Sequence, residues 1–239
     1  AKGEYIYFLD SDDFLEEGVI EKMMDSAVSH MTDLVYSQVQ LHIENGVNDD
    51  DLVDMKDYFD FHPVTGIINV DIYNFSKYLS EFPCVAWNKL IRRDFLKNKK
   101  IEFIPKNIIH EDEGFHVKTL ANSPKISFVS SVGYYYRIRS NSIMQSAMED
   151  WESKMRALRA SLDDAIAYLR EQGKEEYIEL VMSRWWYQQC FPKTKDLRYY
   201  SSLVRLTLLS LLPFLFASKI EQLKKRLSVY EFYKHDSLD

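Results

Sequence analysis

Three carboxylates, Asp10, Asp12 and Asp13, crowd four positions at the end of the apolar run Tyr5-Ile6-Tyr7-Phe8-Leu9. Like charges this close repel, so their ionisation calls for a cation, hydrogen-bond donors or full solvation. A hard divalent ion, Mn2+ or Mg2+, answers that need: it prefers carboxylate oxygens and keeps open positions for substrate phosphates. The aromatic-rich run ahead of the aspartates reads as a strand buried on both faces. In an open α/β sheet, ligands bind at the carboxyl ends of strands, so the stretch reads as a metal–diphosphate site. Turn chemistry competes, because Asp is a common N-cap and Asp13 followed by Glu16 has capping-box spacing.

Other chemistry-bearing residues lie further along. Glu111-Asp112-Glu113 opens a helical pattern, where the macrodipole alone would favour carboxylates. Lys89, beside a core Trp87 and Asn88, has the reach of a point charge toward a diphosphate. Tyr134-Tyr135-Tyr136-Arg137-Ile138-Arg139 could stack and pair with phosphates, and the Ser140-Asn141-Ser142 turn suits a moving loop.

The elements that must position these groups follow from periodicity. Residues 16–30 carry Val19, Ile20, Met23, Met24, Ala27 and Val28 at helical spacing. Residues 34–43 alternate as a strand with room for one bulge. Residues 45–60 form an acidic loop in which Asp49-Asp50-Asp51 lacks the ligand spacing of an EF-hand. Residues 71–82 read as a helix stopped by Pro83, and residues 84–96 as a core Trp followed by a basic helix. A helix runs from Glu111 to the stop at Asn122-Ser123-Pro124, then a strand over 126–139. From Met148 the pattern turns helical: 151–171 ending at Gly173, then 175–190, 197–216 and 220–233. The domain expectation is a unit over 1–147 and an all-α region over 148–239.

Composition narrows the class. The 239 residues are 46% hydrophobic and 28% charged, with a net charge of −7. That is a globular composition with no basic field for nucleic acid. Two cysteines, Cys84 and Cys190, point to free thiols in a reducing compartment, hence a cytoplasmic protein. The apolar run 206–217 is too short to span a bilayer. The basic, aromatic last helices leave open a peripheral contact with the inner face of a membrane or a homodimer face.

The residues Lys2-Gly3-Glu4-Tyr5-Ile6-Tyr7-Phe8-Leu9-Asp10-Ser11-Asp12-Asp13 resemble the strand and DxD motif of family 2 glycosyltransferases. Ala86-Trp87-Asn88-Lys89-Leu90, Glu111-Asp112-Glu113-Gly114-Phe115 and the segment from Tyr134 to Ser142 fit the same family, in its order. The resemblance covers roughly residues 1–145. It implies a GT-A mixed sheet with flanking helices, here only a part of it, because the family's nucleotide-binding half precedes this point. It implies a nucleotide-diphosphate sugar donor, a saccharide or lipid-linked saccharide acceptor, and inverting transfer in surface polysaccharide synthesis. By the same resemblance Asp112 is the base and Glu111 its neighbour in acceptor binding. Asn88 and Lys89 contact substrate, Arg139 and Ser142 close on the diphosphate, and Asp10, Asp12 and Asp13 hold the metal. The chain alone is expected to bind nucleotide sugars weakly and to turn over negligibly. The rivals are another metal-dependent nucleotidyl or phosphate enzyme and a non-catalytic binding module.

Overall fold

The computed structural model describes residues 1–44, 58–59, 66–139 and 151–183. Among these residues six strands form one mixed sheet: β1 (Tyr5–Tyr7), β2 (Phe14–Leu15), β3 (Leu34–Ile43), β4 (Ile67–Asn69), β5 (Lys89–Arg92) and β6 (Lys125–Ile138). Helices α1 (Val19–His30), α2 (Phe75–Glu81), α3 (Arg93–Lys99), α4 (Glu111–Asn122) and α5 (Trp151–Glu171) accompany them. The strand order is β1-β5-β3-β6-β2, with β4 also paired to β6. β3 and β6 run parallel and every other pair is antiparallel.

The long central strands match their sequence patterns. β3 covers the expected residues, and its register against β6 shifts around Gln38, the anticipated irregularity. Such a bulge bends the strand and raises its twist. β6 takes β3 on one side, and on the other β4 at residues 125–127 and β2 at residues 134–135.

β1 corrects an expectation. It is short, half-buried and pairs only with β5, so it forms the sheet's edge among the described residues. Leu9, read as part of a buried run, is 51% exposed. An apolar run signals burial but does not say how many neighbours a strand has. β5 adds to the reading: Lys89-Leu90-Ile91-Arg92 is an inner strand between β1 and β3, and the basic helix expected after Trp87 follows it as α3. Its polar ends disguise four residues, of which the first three are buried.

Helix α1 begins at Val19 rather than residue 16 because Gly18 adopts φ 75, a left-handed conformation that glycine accepts without steric cost. The anticipated capping box therefore does not form. The Glu16 N–H donates to the Gly133 carbonyl instead. Val19, Met23 and Ala27 of α1 pack on Val35 and Leu90 of the sheet, with Tyr5, Tyr7 and Ile20 alongside. Full burial of Met23 is worth about 2 kcal/mol. A second cluster joins Phe59, Trp87 and Tyr134, in which Trp87 and Tyr134 stack at 4.1 Å. Trp87 is thus a core residue, as expected.

The compact unit runs Ala1–Arg184 and takes in α5, a helix of 21 residues that the sequence pattern grouped with the C-terminal region. α5 keeps its expected bounds and ends at Gly173, whose φ of 65 suits a helix stop. After it, Glu175–Tyr177 is a single 3-10 turn. The helices expected over 197–233 and most of the 45–60 loop lie outside the described residues. No helix of the described residues is long and apolar enough to cross a membrane.

Candidate active site

β1 and its turn deliver the aspartates, and Tyr134 of β6 ties them down. The Asp13 N–H closes the turn on the Asp10 carbonyl at 3.2 Å. The Asp10 N–H donates to the Tyr134 hydroxyl at 3.3 Å, and that hydroxyl donates to Asp13 Oδ2 at 2.6 Å. Asp13 Oδ1 accepts from the Arg137 N–H at 2.8 Å. Burial and the bond to Asp13 raise the Tyr134 phenol above its ordinary value and keep it protonated as donor. Both Asp13 oxygens are thus engaged with β6, and this residue holds the turn.

Asp12 instead faces outward and forms an ion pair with Arg139, at the end of β6. Asp10 stands between two acidic groups. Burial pushes its carboxyl up, and the nearby Asp13, Asp12 and Glu111 push it further.

Glu111 and Asp112 occupy the first turn of α4. Burial raises the Asp112 carboxyl to about 6; Lys89 opposes the rise, Glu111 adds to it, the Ala86 N–H donates to the carboxylate and opposes it, and Asp10 adds to it. Because Asp10 interacts with Asp12 on one side and with Glu111 and Asp112 on the other, the two acidic stretches share one neighbourhood. They lie about a hundred positions apart in the chain, and the sheet brings them together.

Lys89 is placed differently from a ligand contact. Its side chain is fully buried, and Nζ donates to the carbonyls of Pro83 and Cys84 at 3.2 Å each and to that of Val85. It also lies 5.2 Å from the centre of the Tyr36 ring. An ammonium has three donors and all are used inside the protein. Lys89 therefore anchors the 83–86 loop, whose Ala86 amide reaches Asp112. Burial lowers its pKa, while Cys84, Asp112 and Glu113 hold it up. Asn88 is buried too, with its carbonyl accepting from the Ser37 N–H. Ser142 lies outside the described residues.

Sequence reasoning missed Tyr134 as the hub of the turn, the Ala86 amide and Ser161 of α5, which contacts the Asp112 turn. Only the place of Ser161 in a helical stripe with Leu158 and Leu162 signalled that it faces inward.

A divalent cation fits this donor set. Among the described residues no three His, Cys, Asp or Glu side chains form a metal cluster. Mg2+ and its kind, however, are commonly held by one or two carboxylates with substrate phosphates and water. Asp12, already paired with a guanidinium, and Asp10, raised by burial and by its acidic neighbours, offer that pattern of hard oxygen donors.

Residues 1–98 match the glycosyl transferase family 2 model. Over this stretch, less than half of the chain, the protein is similar to glycosyl transferase family 2. The chain is 29% identical over 184 residues to a putative glycosyltransferase, EpsH, of Bacillus subtilis, covering 74% of this chain and 49% of that protein. It is 27% identical over 179 residues to a cholesterol galactosyltransferase of Borreliella burgdorferi, covering 72% of this chain and 47% of that one. A third relative is the poly(ribitol-phosphate) beta-N-acetylglucosaminyltransferase TarS of Staphylococcus aureus, 29% identical over 189 residues. The chain spans about half the length of the first two relatives and 30% of the third. The crystal structure of Staphylococcus aureus TarS 1-349 in complex with UDP-GlcNAc superposes with a TM-score of 0.52 at 22% identity, covering 77% of this chain and 48% of that one. The mixed sheet with flanking helices thus resembles the GT-A fold of TarS.

Proposed function

We propose that the protein carrying these residues transfers a sugar from a nucleotide-diphosphate sugar to an acceptor hydroxyl with inversion. The observation that carries this is Asp112: a carboxyl raised to about 6, at a helix start, coupled through Asp10 to the acidic turn of β1. A general base works best when its pKa lies near the working pH. At neutral pH Asp112 is ionised, yet more basic than an ordinary aspartate.

Asp112 takes the proton of the acceptor hydroxyl as its oxygen attacks the anomeric carbon, and the nucleoside diphosphate departs from the opposite face. A single base attacking opposite the leaving group inverts the centre. Glu111 lies beside Asp112 for acceptor hydroxyls. Arg139, now on Asp12, has the fork geometry to pair with diphosphate oxygens, and Ser142 is proposed to follow it onto the donor. Asp12, with Asp10 directly or through water, would hold Mn2+ or Mg2+, and Asp13 supports them from behind. When bound, such an ion neutralises charge on the departing diphosphate.

The TarS complex with UDP-GlcNAc makes a UDP-sugar the first donor to try. A saccharide or lipid-linked saccharide acceptor and a role in surface polysaccharide synthesis, in the cytoplasm or at the inner membrane face, complete the proposal. Product analysis of the full-length protein with UDP-GlcNAc tests it. Release of UDP is expected, whereas release of pyrophosphate would assign the site to a nucleotidyltransferase.

A further inference from the structure

Helix α4 carries Glu111 and Asp112 in a first turn that lacks an ordinary cap. Its N-cap residue, His110, lies at φ 63 and makes no side-chain cap hydrogen bond. Within this turn the Glu113 N–H donates to the His110 carbonyl at 3.3 Å, and a side chain of another helix reaches into the same turn. The Ser161 hydroxyl, fully buried on α5, accepts from the Gly114 N–H at 2.9 Å and donates to the Glu111 carbonyl at 3.3 Å. One oxygen thereby ties the residues on both sides of Asp112. The contact has no slack, because a Cβ at Gly114 would fall 2.4 Å from the Ser161 carbonyl oxygen. Further along, Asp164 pairs with Lys118, and the Asn122 amide donates to the Tyr168 hydroxyl at 2.9 Å. Ser161, Asp164 and Tyr168 thus meet Gly114, Lys118 and Asn122 in one fixed register of the two helices.

We infer that Ser161 is a positioning residue for Asp112, its hydroxyl fixing the turn from which the carboxylate reaches the acceptor. This rests on Asp112 acting as the base. The Ala86 amide and Lys89 act on the carboxylate itself, whereas Ser161 holds the backbone from which it hangs. Displacement of a reacting group by about 1 Å can cost about a hundredfold in rate, so a looser turn weakens the chemical step rather than donor binding.

The test compares Ser161→Ala with the parent full-length protein. Native-state hydrogen exchange at the Gly114 amide should become about tenfold faster, with β3 and β6 amides unchanged. With UDP-GlcNAc as the donor probe, kcat for UDP release should fall about tenfold or more while KM for UDP-GlcNAc stays within about twofold. Ser161→Cys, which keeps a weak donor and acceptor of similar shape, should fall between the two and carries the measurement if the alanine variant does not fold. Asp164→Asn, which breaks the deeper tie to Lys118, should lower Tm yet leave kcat within about twofold. Unchanged exchange at Gly114 would overturn the inference. So would a kcat that follows Tm alike in the Ser161 and Asp164 variants. Failure of the base assignment has its own signature: Asp112→Asn would go on releasing UDP, while exchange at Gly114 reports on the turn regardless.

Discussion

The raised carboxyl of Asp112 carries a cost that can be measured apart from catalysis. Its folded-state pKa stands at about 6 against an ordinary 3.8. The folded protein therefore holds the neutral form more tightly than the unfolded chain does. Stability from this group is complete below about pH 4 and is lost as pH rises through about 6. At 1.36 kcal/mol per pH unit the gap amounts to about 3 kcal/mol at pH 7. Asp112→Asn replaces the carboxylate with a neutral group of the same shape whose amide oxygen can still accept from Ala86. The variant should lose UDP release and yet gain up to about 3 kcal/mol at pH 7, on the order of 6–10 °C in Tm for a unit of this size. At pH 4, where the parent carboxyl is itself largely neutral, the gain should vanish. Urea unfolding of both proteins at pH 4, 5, 6 and 7, beside the UDP assay, checks all of this. A variant less stable than the parent at pH 7, or a difference independent of pH, would refute the burial of Asp112 and with it the account of its basicity.

Three further outcomes follow from the same contacts. Lys89→Met removes the cation that opposes the rise of Asp112, so the acid limb of the kcat/KM profile should move to higher pH by about one unit; an unmoved limb would separate Lys89 from the base. Tyr134→Phe strips the Asp10 N–H and Asp13 Oδ2 of their shared partner and should cost about 1–3 kcal/mol in urea unfolding, and a variant as stable as the parent would deny the hydroxyl its place at the hub. Asp12→Ala should abolish the Mn2+ dependence of UDP-GlcNAc binding in calorimetry, and a titration matching the parent would remove Asp12 from the metal site.

The chain's own pattern determined what is local. The helical stripe over residues 151–171, the alternation of β3, the stop at Gly173 and the carboxylates opening α4 are all written within a few residues of where they act. Periodicity and chain punctuation report on the immediate backbone, so these elements were legible. The motifs carrying the family 2 likeness were legible too, since each is a short contiguous string. Tertiary structure alone decided what those strings touch. β1 became an edge because no described strand lies beyond it, which its apolar residues cannot announce. Lys89 turned inward because three carbonyls of the 83–85 loop converge on it, and Asp13 was claimed by Tyr134 and Arg137 more than a hundred positions away. Ser161 met Gly114 because any side chain at Gly114 would collide with Ser161 between α4 and α5. Contacts of this range depend on which surfaces pack together, and hydrophobic pattern specifies that a face is buried without specifying the partner that buries it.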